Sequence, residues 1–171
     1  MLATEALAIR PYETSDDDFI AALARDAFEE YTPHAVLHTL AMVRRCTTLV
    51  ALQEESRLGA GARPPVHAGT AKRRFARVGF AAIAEESDET LVLNAIAVIR
   101  GERGRGIGQR LMGEFERLGH ERGARRLELC TADYNLAALD LFYRSGFRLA
   151  ARRPRFYGRG QDACILIKDL R

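Results

Sequence analysis

At 171 residues, with 47% hydrophobic residues and no stretch of strongly shifted composition, the chain is sized for a single globular domain over residues 1–171 with a real core. It contains no apolar run long enough to cross a membrane, and its first residues lack the basic, apolar and small-residue sections of a signal peptide, so a cytoplasmic protein is expected. The net charge of +3 is modest, and three isolated cysteines with no CxxC pair argue against a disulfide framework or a zinc ribbon.

In chain order, Ala6 to Arg10 reads as a first strand closed by Pro11. Thr14 to Asp18 supplies capping and acidic first-turn residues for a helix carrying Phe19, Ile20, Leu23, Ala27 and Phe28 at helical spacing. Pro33 is expected to open a second helix with Val36, Leu37, Leu40 and Val43 on it. On that helix His34 and His38 lie one turn apart, which is metal-ligand spacing. No third ligand is nearby, so they read as surface or substrate-side histidines and no metal is expected. Cys46 to Leu52 and Phe75 to Ala84 are β-type runs. Between them Gln53 to Arg74, rich in Gly, Pro, Ala and Arg, is expected as a long connection, with a flap over an acceptor site as its functional reading.

After an acidic turn at Glu85 to Glu89 come three parts in succession: an apolar strand (Leu91 to Ile99), a Gly/Arg loop (Arg100 to Gly108) and an amphipathic helix from Ile107. A strand delivering a glycine-rich turn onto a helix N-terminus makes an anion site, because unpaired N–H groups and the positive end of the helix dipole converge there. A dinucleotide fingerprint would need a further glycine where Gln109 or Leu111 stands. A Walker loop would need Lys and Ser/Thr where Ile107 and Gly108 stand.

The helix carries Ile107, Leu111, Met112, Phe115 and Leu118 on one stripe and ends at Gly119 or Gly123. Arg126 to Thr131 alternates as a strand, with Glu128 and Cys130 on one face. Asp133-Tyr134-Asn135 caps a helix from Leu136 to Ser145, and Phe147 to Arg152 and Ala163 to Leu170 close the chain as strands. The order β-α-α-β-β-β-α-β-α-β-β specifies an α/β (α+β) fold, a mixed sheet with helices on both faces. All but two of the 26 basic residues, Lys72 and Lys168, are arginine; Arg100, Arg103, Arg105 and Arg110 cluster around the loop, and Arg152, Arg153, Arg155 and Arg159 near the C-terminus. Aromatics are not interleaved along a basic face, so nucleic acid is not an expected partner.

Arg103-Gly104-Arg105-Gly106-Ile107-Gly108 resembles the Q/R-x-x-G-x-G/A motif of the Gcn5-related N-acetyltransferase (GNAT) family. Asn135-x-x-Ala138-x-x-Leu141 followed by Gly146-Phe147 resembles the family's N-x-x-A-x-x-L-Y-x-x-x-G-F segment. The resemblance covers Leu91 to Leu149 firmly and the whole chain loosely. It implies a GNAT-like, splayed central sheet of six to seven strands with about four helices, and acetyl-CoA as cosubstrate. It further implies that Ile96, Ala97 and Val98 meet the pantetheine arm, that the amides of Arg103 to Gly108 hold the pyrophosphate, and that Asn135 bonds the pantetheine or its surroundings. The acceptor amine, of a peptide N-terminus or a small molecule, would attack the thioester directly, with a backbone N–H near Val98 polarising its carbonyl.

The sequence departs from the family where a tyrosine usually assists thiolate departure: that position holds Phe142, and the tyrosine is Tyr143. Three readings stand: Tyr143 serves after a local shift, another hydroxyl such as Tyr134 or Tyr157 serves, or no acid is used. Asn94 stands where many relatives carry a carboxylate, which leaves Glu128 as the candidate base, directly or through water. The ending Arg152-Arg153-Pro154-Arg155-Phe156-Tyr157 with Asp162-Ala163 resembles that of bacterial N-terminal protein acetyltransferases of the RimI type, which makes Tyr157 a substrate-contact candidate. With both proton-transfer positions displaced, the competing class is a CoA-binding module without turnover. A monomer and a homodimer are both admissible.

Overall fold

The computed structural model describes residues 6–54 and 74–171. The element order is the one read from the sequence. Strand β1 (Leu7–Pro11) is followed by a 3-10 turn at Thr14–Asp16 and helix α1 (Asp17–Phe28). Helix α2 (Ala35–Val43) leads to β2 (Thr47–Glu54), β3 (Phe75–Ser87) and β4 (Thr90–Val98). Helix α3 (Ile107–Glu121), β5 (Arg126–Ala132), α4 (Leu136–Arg144), β6 (Arg148–Arg153) and β7 (Ala163–Asp169) complete the chain. The expected connection between β2 and β3 lies, over residues 55–73, outside the described residues.

Most strand and helix ends fall within one or two residues of expectation, and three differences have a structural reason. Pro33 does not start α2; His34 caps it in a left-handed conformation (φ 61°) and the helix begins at Ala35. The turn expected at Glu85 to Glu89 is tighter, because β3 runs on to Ser87. Of the two glycines that could end α3, Gly123 does so, whereas Gly119 lies inside the helix, where a Cβ would come within 2.8 Å of Leu127 and Leu170.

All seven strands form one sheet in the order β1-β2-β3-β4-β5-β7-β6, antiparallel throughout except for the parallel pair β4–β5. One face packs on α3 and α4: the α3 stripe of Ile107, Leu111, Met112 and Phe115 meets Ile83, Leu93, Leu127 and Leu129. The other face, with Val50, Phe80, Ala82 and Ala97, is covered by Ile20 and Leu23 of α1 and Val43 of α2. Burying a single leucine or phenylalanine side chain in this way contributes about 1.5–3 kcal/mol.

The feature that positions the site is a single extra residue in β4. Ala95 pairs with Ala82 and Leu93 with Ile83, so Asn94 has no partner on β3 and forms a bulge. The bulge reverses which face each β4 side chain meets: Leu91 and Leu93 belong to the α3 side, Ala95 and Ala97 to the α1 side. Pairing with β5 stops at the same place, at Leu93 opposite Leu129. Beyond it β5 stays bonded to β7 as far as Ala132 while β4 stays bonded to β3, so the sheet splits between its two central strands.

Candidate active site

The split is a cleft of about 230 Å³. Its walls are Leu93 to Ile96 of β4, Leu129 to Ala132 of β5, Asn135, Ala138 and Phe142 at α4, and Tyr157 from the β6–β7 connection. Phe28, Tyr31, Thr32, His38, Thr39 and Met42 close it from the α1–α2 side.

Backbone groups along β4 are divided between two customers. The Ile99 N–H donates to the Val78 carbonyl (2.9 Å). In an antiparallel pair bonding residues alternate, so Ala97 also bonds to β3 while Ile96 and Val98 turn their N–H and C=O toward the split. Of the three residues expected to meet the cofactor, Ile96 and Val98 are therefore aimed into the gap. Ala97 is not: its backbone serves β3 and its side chain is in the core. The Val98 carbonyl already accepts from Arg103 Nε (3.0 Å), which ties the loop to the strand end.

The loop begins with a 3-10 turn at Arg100–Glu102, and Arg105 pairs with Glu102 across it (2.6 Å). Gly104 and Gly106 take φ +79° and +83°, a region L-residues avoid, and the space beside both is open. Gly106 caps α3, whose first N–H groups have no partner within the helix. Ile107 sends its side chain into the core at 2% exposure, leaving its backbone at the helix mouth. Gly108 makes its close approach to the chain itself, since a Cβ there would lie 3.1 Å from Leu141 of α4.

Asn135 has two jobs. Its Oδ1 accepts from the Ala138 N–H (3.3 Å) and caps α4, while the residue lines the cleft. With the acceptor oxygen engaged, the amide NH₂ is left to donate.

The proton-transfer candidates separate clearly. Tyr143 is 48% exposed and does not line the cleft, while Phe142 is 3% exposed and does. No shift brings Tyr143 in, because successive helical residues point about 100° apart and Phe142 is fixed against Phe147 (ring centroids 6.5 Å). Glu128, half-buried, pairs across to Val92 and Ile167 where the sheet is still closed, and it too is absent from the cleft walls.

Tyr157 does line the cleft. Its hydroxyl donates to the Cys130 sulfur (3.8 Å), and its ring stands 5.4 Å from Tyr31, which in turn stacks on Tyr134 at 6.0 Å. Burial, then the neighbouring Cys130, pushes the Tyr157 hydroxyl above the usual phenol range, and burial followed by the bond to Glu30 does the same for Tyr31. Burial also raises the Cys130 thiol, so it rests as a thiol rather than a nucleophilic thiolate. The β6–β7 connection that carries Tyr157 is clamped to the α1–α2 connection: Gln161 Nε2 donates to the Glu30 carbonyl (2.5 Å), and Gly158 lies where a Cβ would be 3.2 Å from Pro33.

Of the two histidines read from the sequence as surface or substrate-side, His38 lines the cleft. It faces the cleft from α2, with Nδ1 3.4 Å from the Thr32 hydroxyl. The helical spacing placed it on a face, but only the packing of α2 against the split shows which one. Among the described residues no group of three or more metal-binding side chains occurs, and no helix is long and apolar enough to cross a membrane.

A family model described as "Acetyltransferase (GNAT) family" matches residues 18–147. None of the curated proteins matches the sequence. Among solved structures, Ard1 from Thermoplasma volcanium is 21% identical with a TM-score of 0.75, over 97% of this chain and 99% of that one. The ribosomal-protein-S18-alanine N-acetyltransferase from Escherichia coli is 20% identical with a TM-score of 0.70, over 96% and 94%. A Bacillus subtilis acetyltransferase in complex with CoA is 19% identical with a TM-score of 0.71, over 97% and 100%. At such identities these likenesses establish the fold.

Proposed function

The chain belongs to the acetyltransferase (GNAT) family, and on that premise we propose that it moves the acetyl group of acetyl-CoA onto a primary amine, a peptide N-terminus in preference to a small molecule. The observation that carries the reading is the split between β4 and β5, which leaves Ile96 and Val98 without a partner strand on the β5 side, beside a loop that presents the α3 N-terminus. An extended amide-bearing arm pairs with such a strand edge, and a pyrophosphate seats on the amides from Arg103 to Gly108. The likeness to the Escherichia coli enzyme, together with an acceptor end built from two clamped connections, supports the peptide.

In the reaction the amine nitrogen attacks the thioester carbon, the C–S bond breaks, and the products are an amide and the coenzyme A thiol. One proton leaves the amine and one reaches the sulfur. Tyr157 supplies the second, since it lines the cleft and a tyrosine is protonated at neutral pH. An α-amine, with a pKa of about 8 against about 10.4 for lysine, needs little help to lose the first. His38 is the imidazole in the cleft wall to receive it, directly or through water, in place of Glu128. The three cysteines are free thiols, in keeping with a reducing cytoplasmic compartment.

Thermal unfolding with acetyl-CoA, and with NAD and ATP as controls, tests the donor site. Ligand at about 100 times its dissociation constant adds about 2.7 kcal/mol, a rise of roughly 5–10 °C for a chain of this size. A rise with acetyl-CoA alone, followed by thiol release on adding peptides, is expected. No rise in folded protein would remove the reading.

A further inference from the structure

We propose that the acceptor is a peptide whose first side chain is uncharged and whose next two residues carry carboxylates. The inference rests on the N-acetyltransferase reading above and names the substrate class of that same site.

The first half follows from what lines the cleft. Among the described residues none of its walls is Asp, Glu, Lys or Arg, and the acceptor end is bounded by Phe28, Tyr31, Thr39 and Met42. A charged first side chain would leave water there without a counter-charge, whereas a small or apolar one fits at no such cost. The same composition disfavours polyamines, whose remaining charges would need acidic partners.

The second half follows from the cleft mouth. Arg152 and Arg153 end β6, and Arg155 and Arg159 flank Tyr157 in the connection to β7; all four are exposed. Eleven other arginines, among the described residues, are ion-paired with a carboxylate. None of these four is, among the described residues. The carboxylate beside them is already engaged, because Asp162 Oδ1 accepts from the Arg155 N–H (2.7 Å). That bond holds Arg155 at φ +49°, an uncommon conformation for a non-glycine residue, and so sets the turn that delivers Phe156 and Tyr157. Arg153 lies over the Phe156 ring (5.9 Å), which meets Tyr157 edge-on at 5.2 Å. Its positive charge also reaches Cys130 in the cleft wall. Arg152, opposite Cys164, points to the other face of β6, so the patch at the Tyr157 end of the cleft is Arg153 with Arg155 and Arg159. It is not the phosphate site: β6 is the sheet edge beyond β7, across the split from the loop that follows β4.

The test compares peptides that begin Ala-Asp-Glu, Ala-Lys-Arg, Lys-Asp-Glu and Asp-Asp-Glu and are otherwise identical, by thiol release, with wild type and the Arg153→Glu/Arg159→Glu double variant. Wild type is expected to favour the acidic over the basic tail about tenfold in kcat/KM, as rim charges do, with the preference shrinking in about 0.5 M salt. The double variant is expected to invert it while the KM for acetyl-CoA stays the same. A charged first residue is expected to cost about 100-fold. Equal rates for the two tails, ready use of Lys or Asp at the first position, or a double variant that raises the acetyl-CoA KM and spares the tail preference would each overturn the proposal. Stabilisation by acetyl-CoA with no peptide acetylated would overturn the peptide reading beneath it instead.

Discussion

The Tyr157 hydroxyl donates to the sulfur of Cys130, 3.8 Å away, on the β5 side of the split sheet. One comes from the connection after β6 and the other from β5, so the proposed proton donor stands in the cleft wall on an element outside α4. Tyr157→Phe is expected to lower kcat about 100-fold or more, the usual worth of a positioned acid, with acetyl-CoA affinity intact. Tyr143→Phe should change kcat less than about twofold, since an exposed surface hydroxyl has nothing to protonate. A general acid acts while protonated, and the Tyr157 pKa is raised. Its alkaline limb in a kcat–pH profile should thus lie above the ordinary tyrosine value of about 10. A limb below that value would show a different acid.

The double duty of Asn135 can be taken apart with two substitutions. Asn135→Asp keeps an oxygen to accept from Ala138 N–H and so retains the α4 cap, but it replaces the NH₂ donor with a carboxylate. Its melting temperature should stay near wild type while acetyl-CoA binding weakens. Asn135→Ala loses both, with about 1 kcal/mol of stability going with the cap. Calorimetry with and without ligand separates the two; equal binding by both variants and wild type would reduce Asn135 to a cap.

For Gly106→Val, acetyl-CoA binding should be lost, because the side chain is forced into a left-handed conformation and projects into the open space beside the loop. The strain should also cost about 1–2 kcal/mol in the absence of ligand. Gly108→Val is expected to act differently: the new side chain pushes Leu141, so stability should fall before binding is lost. Denaturation curves and ligand-induced stabilisation of the two variants, measured side by side, check the contrast.

Asp16 holds the start of the chain to the sheet. Fully buried, it accepts from Arg10 at 2.7 and 2.8 Å, from Arg77 at 2.5 Å and from the Glu13 N–H at 2.9 Å. The Arg10 guanidinium beside it holds the carboxyl far below the usual carboxylate range. Since the folded pKa lies below the unfolded value, the unfolded chain binds more protons in between. The contribution is whole above about pH 4 and is lost as the pH falls below it. Asp16→Ala, which strands two arginines, should cost about 3 kcal/mol at neutral pH. It should also flatten the acid limb of a stability–pH curve, and an unchanged limb would place the acid sensitivity elsewhere.

Much of this was legible in the residues. The α3 stripe, the glycine loop and the alternation of β5 each follow a period that side chains impose locally, and all three elements stand where that period placed them. What escaped was set by partners distant in the chain. The bulge at Asn94 exists only relative to β3, so no pattern within Leu91 to Ile99 announces it, and without it Ala97 looks like its neighbours. The direction of Phe142 over Tyr143 depends on how α4 is rotated against Phe147, and the place of His38 on how α2 meets the split. Helical spacing gives faces; it does not say what each face meets.

The unpaired residue at Asn94 makes the length of β4 matter more than its composition. Removing one residue there would let Ala95 follow Leu93 in register with β3, restore simple alternation along the strand, and allow β4 to zip to β5 past Leu129. The result would be a more regular sheet with no gap in it. Side chains along this strand can be exchanged one for another at moderate cost, but a loss of three nucleotides from its coding sequence would convert a catalyst into a well-formed bystander.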